Sequence, residues 1–167
     1  TFYKKLCFAE LEPILDTLKY LKNETNVWFE ITTLLIPDEN DSEKEIESLS
    51  QWIFDHLGPK VPLHFTAFHP DFKMMNKSNT PIETLTKART IAKEIGLNHV
   101  YTGNVHDTNG SSTYCPNCDK MVIERNWYEL GEYKVESGKC QHCGYKLTGH
   151  FTDQPGNWGR KRVSVPI

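Results

Sequence analysis

Four of the five cysteines fall in two short pairs, Cys115-Pro116-Asn117-Cys118 and Cys140-Gln141-His142-Cys143, giving the pattern C-x2-C-x21-C-x2-C. Two thiolates two residues apart can reach one cation from a single tight turn, and two such turns complete a tetrahedron. That constraint makes residues 111–151 fold around a point rather than around a large apolar core. Gly144, directly after the second pair, suits the left-handed backbone that such a turn needs, and Asp119, in the equivalent place after the first, tolerates it. All four positions are filled by sulfur, so no coordination place is left open for a substrate and a structural role is expected. The pattern predicts a metal site made of Cys115, Cys118, Cys140 and Cys143, holding zinc or iron, in a zinc-ribbon-like module. Paired spacings of this kind suit a reducing compartment better than a secreted disulfide framework, which gives a cytoplasmic expectation. Cys7 stands alone and is read as an inert thiol.

The rest of the chain must supply its own core. Its 167 residues are 38% hydrophobic and 25% charged, the balance of a globular chain with room for one domain and a small appendage. No apolar run approaches the roughly 18 residues that a spanning helix needs, so no membrane partner is expected. The formal charge of -3 argues against a general nucleic-acid binder. The sequence opens at Thr1 without a methionine or a signal peptide and is read as part of something longer.

Upstream of the cysteines the apolar periodicity alternates between two kinds. Residues 9–23 place Leu11, Ile14, Leu15, Leu18 and Leu21 at helical spacing, with Pro13 tolerable only in the first turn. Residues 27–36 are nearly all β-branched, aromatic or aliphatic and predict a strand buried on both faces. A second helix opens with Ser42 and Glu45 in capping-box relation and stops at Gly58. A second strand follows over 61–68, then an irregular stretch over 69–79, long for a βα connection. A third helix is predicted with Thr80 as its cap and Pro81 at its first position, ending at Gly96, followed by a strand over 99–103. Strands alternating with helices at this pitch predict a parallel sheet, with its chemistry at the carboxyl edge. Three parallel strands alone would leave both edges bare, so the pattern reads as half of a fold.

That edge collects the loops 37–41, 69–79 and 104–110, and several residues on it and elsewhere are weighed as candidates. His69 opens the long loop after the second strand. Glu30, Thr32 and Thr33 are polar groups in a strand read as buried. Asp38, Glu39 and Asp41 precede a helix N-terminus, where acids are stabilised. His106 and Asp107 are read as a polar turn between domains, and Arg160-Lys161-Arg162 as a solvated tail.

Taken together, Val27-Trp28-Phe29-Glu30 through Ile36-Pro37, Phe68-His69-Pro70, Tyr114-Cys115-Pro116-Asn117-Cys118, Ile123-Glu124-Arg125 and Cys140-Gln141-His142-Cys143-Gly144 resemble the C-terminal half of a radical S-adenosylmethionine enzyme. The nearest resemblance is to the radical enzyme of the AmmeMemoRadiSam system, a relative of pyruvate formate-lyase activating enzymes. The resemblance implies an α/β fold: the C-terminal half of a partial (β/α)6 radical SAM barrel over residues 1–110, then a small metal ribbon over 111–151 and a tail over 152–167. It implies a [4Fe-4S] cluster that reductively cleaves S-adenosylmethionine to a 5'-deoxyadenosyl radical, with a substrate left open, a protein being one candidate. It places His69 near S-adenosylmethionine. Relatives carry an Arg roughly where Glu30 falls, so that contact is not carried over. The cluster-binding Cys-x3-Cys-x2-Cys is absent from these 167 residues. The cluster and the N-terminal half of the barrel are therefore implied partners outside the chain, which alone is expected to be inactive. The alternative from the residues themselves is a non-catalytic zinc-ribbon module that binds protein or nucleic acid.

Overall fold

A computed structural model describes residues 2–156, so the basic run at 160–162 lies outside the described residues. The chain divides into two compact units between Val105 and His106.

In the first unit the elements are α1 (Glu12–Glu24), β1 (Ile31–Leu35), α2 (Glu43–Leu57), β2 (Leu63–Ala67), α3 (Ile82–Ile95) and β3 (Val100–Gly103), with a π-helical turn at Tyr3–Cys7 before them. The three strands form one parallel sheet in the order β1-β2-β3. The fold is thus mixed α/β with a parallel three-stranded sheet and a cysteine cluster towards the C-terminus.

Local chemistry accounts for most boundaries. Ser42 Oγ accepts the Glu45 amide, which makes the expected N-cap, and Glu45 reaches back to the Ser42 hydroxyl, which donates to its carboxylate, rather than to the Ser42 amide as in a full capping box. Gly58 (φ 83°) ends α2 with its amide on the Ile53 and Phe54 carbonyls. Gly96 ends α3 at φ 116°, and a Cβ there would stand 2.9 Å from the Phe54 ring, so both backbone and packing exclude a side chain. Pro13 lies in the first turn of α1, as it must.

One face of the sheet is closed by helices. Ile46, Ile53 and Leu57 of α2 and Leu85, Ala88, Ile91 and Ala92 of α3 cluster with Leu35, Leu63, Phe65, Ala67 and Val100. Phe65, in the middle strand, is fully buried. The other face carries the alternate residues: Thr32, His64 and Tyr101 in one row, Leu34, Thr66 and Gly103 in the next. Here the structure corrects the sequence reading. β1 is shorter than residues 27–36 and is not buried on both faces, since Thr32 and Leu34 are exposed. Its unbroken apolar run hides a strand with one uncovered side. The apolar stripe of α1 likewise buries nothing fully, and Ile14 is exposed, although Leu18 packs against the core.

The second expected cap is also replaced. α3 begins at Ile82 behind Pro81, and no side chain caps it. Thr80 is buried instead and ties two strand ends together: its hydroxyl donates to the Leu35 carbonyl (2.6 Å) and accepts the Phe68 amide (2.8 Å). Neighbouring carbonyls at the carboxyl edge are met in the same way. Asn40 Nδ2 donates to Leu34 and Asn104 Nδ2 to Ala67. Lys77 Nζ reaches from the 69–79 loop to the Pro37 carbonyl (3.1 Å) and the Glu39 carboxylate (2.8 Å), which pins two of the three edge loops together. The hydrogen bond to Glu39 holds the Lys77 pKa above the ordinary lysine value.

The second unit opens with α4 (Thr108–Ser111), a single turn whose cap is Asp107 Oδ1 on the Gly110 amide. Strands β4 (Thr113–Tyr114), β5 (Met121–Asn126) and β6 (Glu129–Tyr133) form an antiparallel sheet, and β7 (Val135–Glu136) pairs with β8 (Lys139–Cys140). His106 and Asp107 are both engaged locally, His106 through the Trp127 indole, which donates to Nδ1 at 2.6 Å. The core of this unit is small: Val122, Ile123, Val135 and Leu147 beside Cys115 and Cys140.

Candidate metal centre

The two cysteine pairs are built by the same backbone device used twice. In the first, the Cys115 amide donates to the Lys120 carbonyl and the Asp119 amide to the Cys115 carbonyl, both at 2.9 Å. In the second, the Cys140 amide donates to the Tyr145 carbonyl (2.9 Å) and the Gly144 amide to the Cys140 carbonyl (2.8 Å). Each turn is closed by a left-handed residue, Asp119 at φ 53° and Gly144 at φ 75°, as the sequence predicts. β4 leads into the first turn and β8 into the second.

These turns bring all four Sγ atoms within 4.8 Å of one another. Cys115 and Cys143 stand 3.6 Å apart and Cys118 and Cys140 3.9 Å apart. Sulfurs bound tetrahedrally to zinc at about 2.3 Å stand about 3.8 Å apart, so the spacing fits a zinc-sized ion. The four cysteines predicted as metal ligands therefore lie together and could hold a metal ion. Cys115 and Cys140 are buried against Val122 and Val135, whereas Cys143 is exposed.

Electrostatics divides the four unevenly. Burial pushes the Cys115 thiol up to about 12. The Tyr145 amide and the Asn117 side chain, which donates to Cys143 Sγ at 3.6 Å, bring Cys143 down to about 6. Cys118 is raised: the Lys120 amide lowers it, but burial and the Cys143 and Cys140 sulfurs outweigh that. Four sulfurs this close cannot all ionise side by side unless a cation lies between them, which is the condition that a bound metal supplies. His142, between the second pair, turns its Nε2 to the Met121 carbonyl (3.3 Å).

His69, the other candidate, is exposed at the start of the loop after β2, and its side chain makes no hydrogen bond among the described residues. Cys7 is exposed in the N-terminal turn. Sequence reasoning gave no role to Glu30 or His64, whose side chains meet across β1 and β2 at 2.7 Å although they lie 34 residues apart. The only forewarning was that polar residues interrupt strands read as buried.

Among the described residues no helix is long and apolar enough to cross a membrane. No protein-family model matches the chain. An uncharacterized protein of the archaeon Methanocaldococcus jannaschii is 44% identical over 148 residues, which cover 87% of this chain and 44% of that protein. The chain thus spans less than half the length of the curated relative it matches.

Proposed function

We propose that this chain is the C-terminal part of a cytoplasmic radical S-adenosylmethionine enzyme, carrying half of a partial (β/α)6 barrel and a ribbon with structural zinc. The observation that supports it most is the asymmetry of the parallel sheet. Its outer face is closed by α2 and α3, and the face that would line a barrel carries Glu30, Thr32, His64, Thr66 and Tyr101. A sheet that, among the described residues, has helices on one face only and no strand beyond β1 or β3 suits a barrel completed by further strands. The match to a relative about twice as long is compatible with that, since it leaves room for those strands.

The residues present do not fit the iron-sulfur cluster. Four cysteines occupy the two knuckles and the fifth, Cys7, is isolated, so the cluster ligands would come from polypeptide outside this chain. Zinc does fit: four sulfurs, tetrahedral spacing and no open place. It would hold the ribbon together without entering the chemistry. On the barrel side, His69 stands at the carboxyl edge, where S-adenosylmethionine would lie, on a loop pinned by Lys77.

Two measurements test this. Metal analysis of protein purified under reducing conditions should give one zinc per chain, and neither zinc nor iron would refute the ribbon assignment. The polypeptide extended to the length of its relative, reconstituted with iron and sulfide without oxygen and reduced, should release 5'-deoxyadenosine from S-adenosylmethionine. If it forms no cluster and releases none, the radical reading fails and the self-contained ribbon becomes the better account. That second reading is favoured by one observation, that the ribbon belongs to a unit with its own core.

A further inference from the structure

The face of the sheet opposite α2 and α3 holds a side-chain arrangement that neither the helix-side core nor the metal centre explains. Glu30, just before β1, has both carboxylate oxygens engaged. Oε1 accepts the Trp28 indole N–H at 3.0 Å, and Oε2 meets His64 Nε2 at 2.7 Å. His64 is in turn held flat against Tyr101 on β3, with ring centroids 4.9 Å apart and planes 25° from parallel. A carboxylate that takes the Nε2 hydrogen fixes the tautomer and leaves Nδ1 as an unprotonated lone pair. Among the described residues Nδ1 has no hydrogen-bond partner.

We propose that Glu30 and His64 form a proton-accepting pair on the open face of the sheet, with His64 Nδ1 as the base that takes a proton from an O–H or N–H group laid against Thr32, Thr66 and Tyr101.

Stability does not account for the pair. The two side chains are 30% and 43% exposed, and a contact that wet adds little to folding. Its geometry is that of an oriented base: a carboxylate on one ring nitrogen, an aromatic beside the ring, and a second ring nitrogen with no hydrogen-bond partner among the described residues. In the transfer, the donor keeps its electron pair and its proton passes to Nδ1. The resulting imidazolium keeps its Nε2 proton on Glu30, whose charge stabilises it. Glu30 acts through His64 and is a positioning residue. His99, two residues before Tyr101, also feels the Glu30 charge but does not compete for the proton. It is 4% exposed, its Nε2 has no hydrogen-bond partner among the described residues, and burial holds its pKa below the ordinary histidine value although Glu30 pulls it up.

The inference rests on no part of the radical reading. Every atom belongs to this chain, and its test needs neither cluster nor S-adenosylmethionine. Long-range proton–nitrogen NMR correlations on the 15N-labelled chain at neutral pH should show His64 as the Nε2–H tautomer. Diethyl pyrocarbonate then probes the lone pair: Nδ1 attacks a carbonyl carbon and ethyl carbonate leaves, and the Nε2 proton, passed through Glu30, ends on that leaving group, which decomposes to ethanol and carbon dioxide. Glu30→Gln should slow this modification of His64 about tenfold, the low end of what an orienting partner contributes, with exposed His69 unchanged as internal reference. Glu30→Asp should restore part of the rate, a recovery that a merely structural role would not give. A His64 found as the Nδ1–H tautomer, or modified equally fast in wild type and Glu30→Gln, would overturn the proposal. The tautomer measurement needs no variant, so it decides even if Glu30→Gln fails to fold.

Discussion

The two units of this chain solve the same problem by opposite means. The first has enough apolar residues at the right periods to bury Leu35, Ile53, Leu63, Phe65 and Leu85 together, and its order comes from that core. Among the described residues the second has a core of Val122, Ile123, Val135 and Leu147 beside two of its cysteines, with Tyr133, Tyr145 and Phe151 only partly buried against it, a small core for its length. Its remaining order has to come from whatever the four sulfurs hold. Burial in the first unit is spread over many side chains, so no single loss is fatal. In the second, order converges on one point.

Metal removal is the strongest test of that contrast. A structural zinc contributes apparent binding free energy on the order of 10 kcal/mol, nearly all of it folding energy. Cys115→Ser, or a strong chelator, should therefore collapse the NMR signals of Val122, Ile123 and Val135 while those of Leu63 and Phe65 persist. Loss of both sets together would show that the units are not independent. Proton counting sharpens the same point. In the metal-free protein Cys143, held near 6, is ionised at pH 7, whereas Cys115, near 12, is protonated there. Zinc uptake should then release fewer than four protons at pH 7 and more at pH 5, with affinity falling as pH falls. Calorimetry in buffers of different ionisation enthalpy reads this number directly. A proton count independent of pH would contradict the uneven ionisation of the four sulfurs.

The reverse experiment breaks the other unit. Phe65→Ala removes a fully buried ring and should destabilise the α/β unit by about 3–5 kcal/mol in denaturant titration, with zinc content unchanged. Thr80→Val keeps the shape but leaves the Phe68 amide and the Leu35 carbonyl without their hydroxyl partner, for a loss of about 1–3 kcal/mol. The smallest effect belongs to Gly144→Ala. A Cβ there meets open space, so the only penalty is the left-handed backbone, about 1–2 kcal/mol, read as weaker zinc affinity with the first unit untouched.

The elements and the ribbon were legible in the sequence because their causes are local. The Ser42–Glu45 cap, the stops at Gly58 and Gly96 and the left-handed Asp119 and Gly144 each depend on hydrogen bonds and dihedral angles within a few residues. The four-cysteine site was legible for a related reason, since the spacing within each pair fixes the turn and the chemistry of sulfur supplies the rest. The tip of the β5–β6 hairpin was not: the left-handed residue is Trp127 (φ 55°) and not Asn126 beside it, and its indole bonds to His106 from outside the hairpin.

What the tertiary structure alone decided is which atoms meet across strands. An apolar run over 27–36 reads the same whether one face or both are covered, and the placement of α2 and α3 on one side leaves Thr32 and Leu34 exposed. Thr80 looks like a helix cap in sequence, yet the ends of β1 and β2 come close enough to compete for its hydroxyl and win. Glu30 and His64 are two unremarkable polar residues until parallel register sets their strands side by side. Sequence specifies what short-range geometry can enforce; register and layer order are set by the burial of the whole core, and those decide which side chains are left to do chemistry.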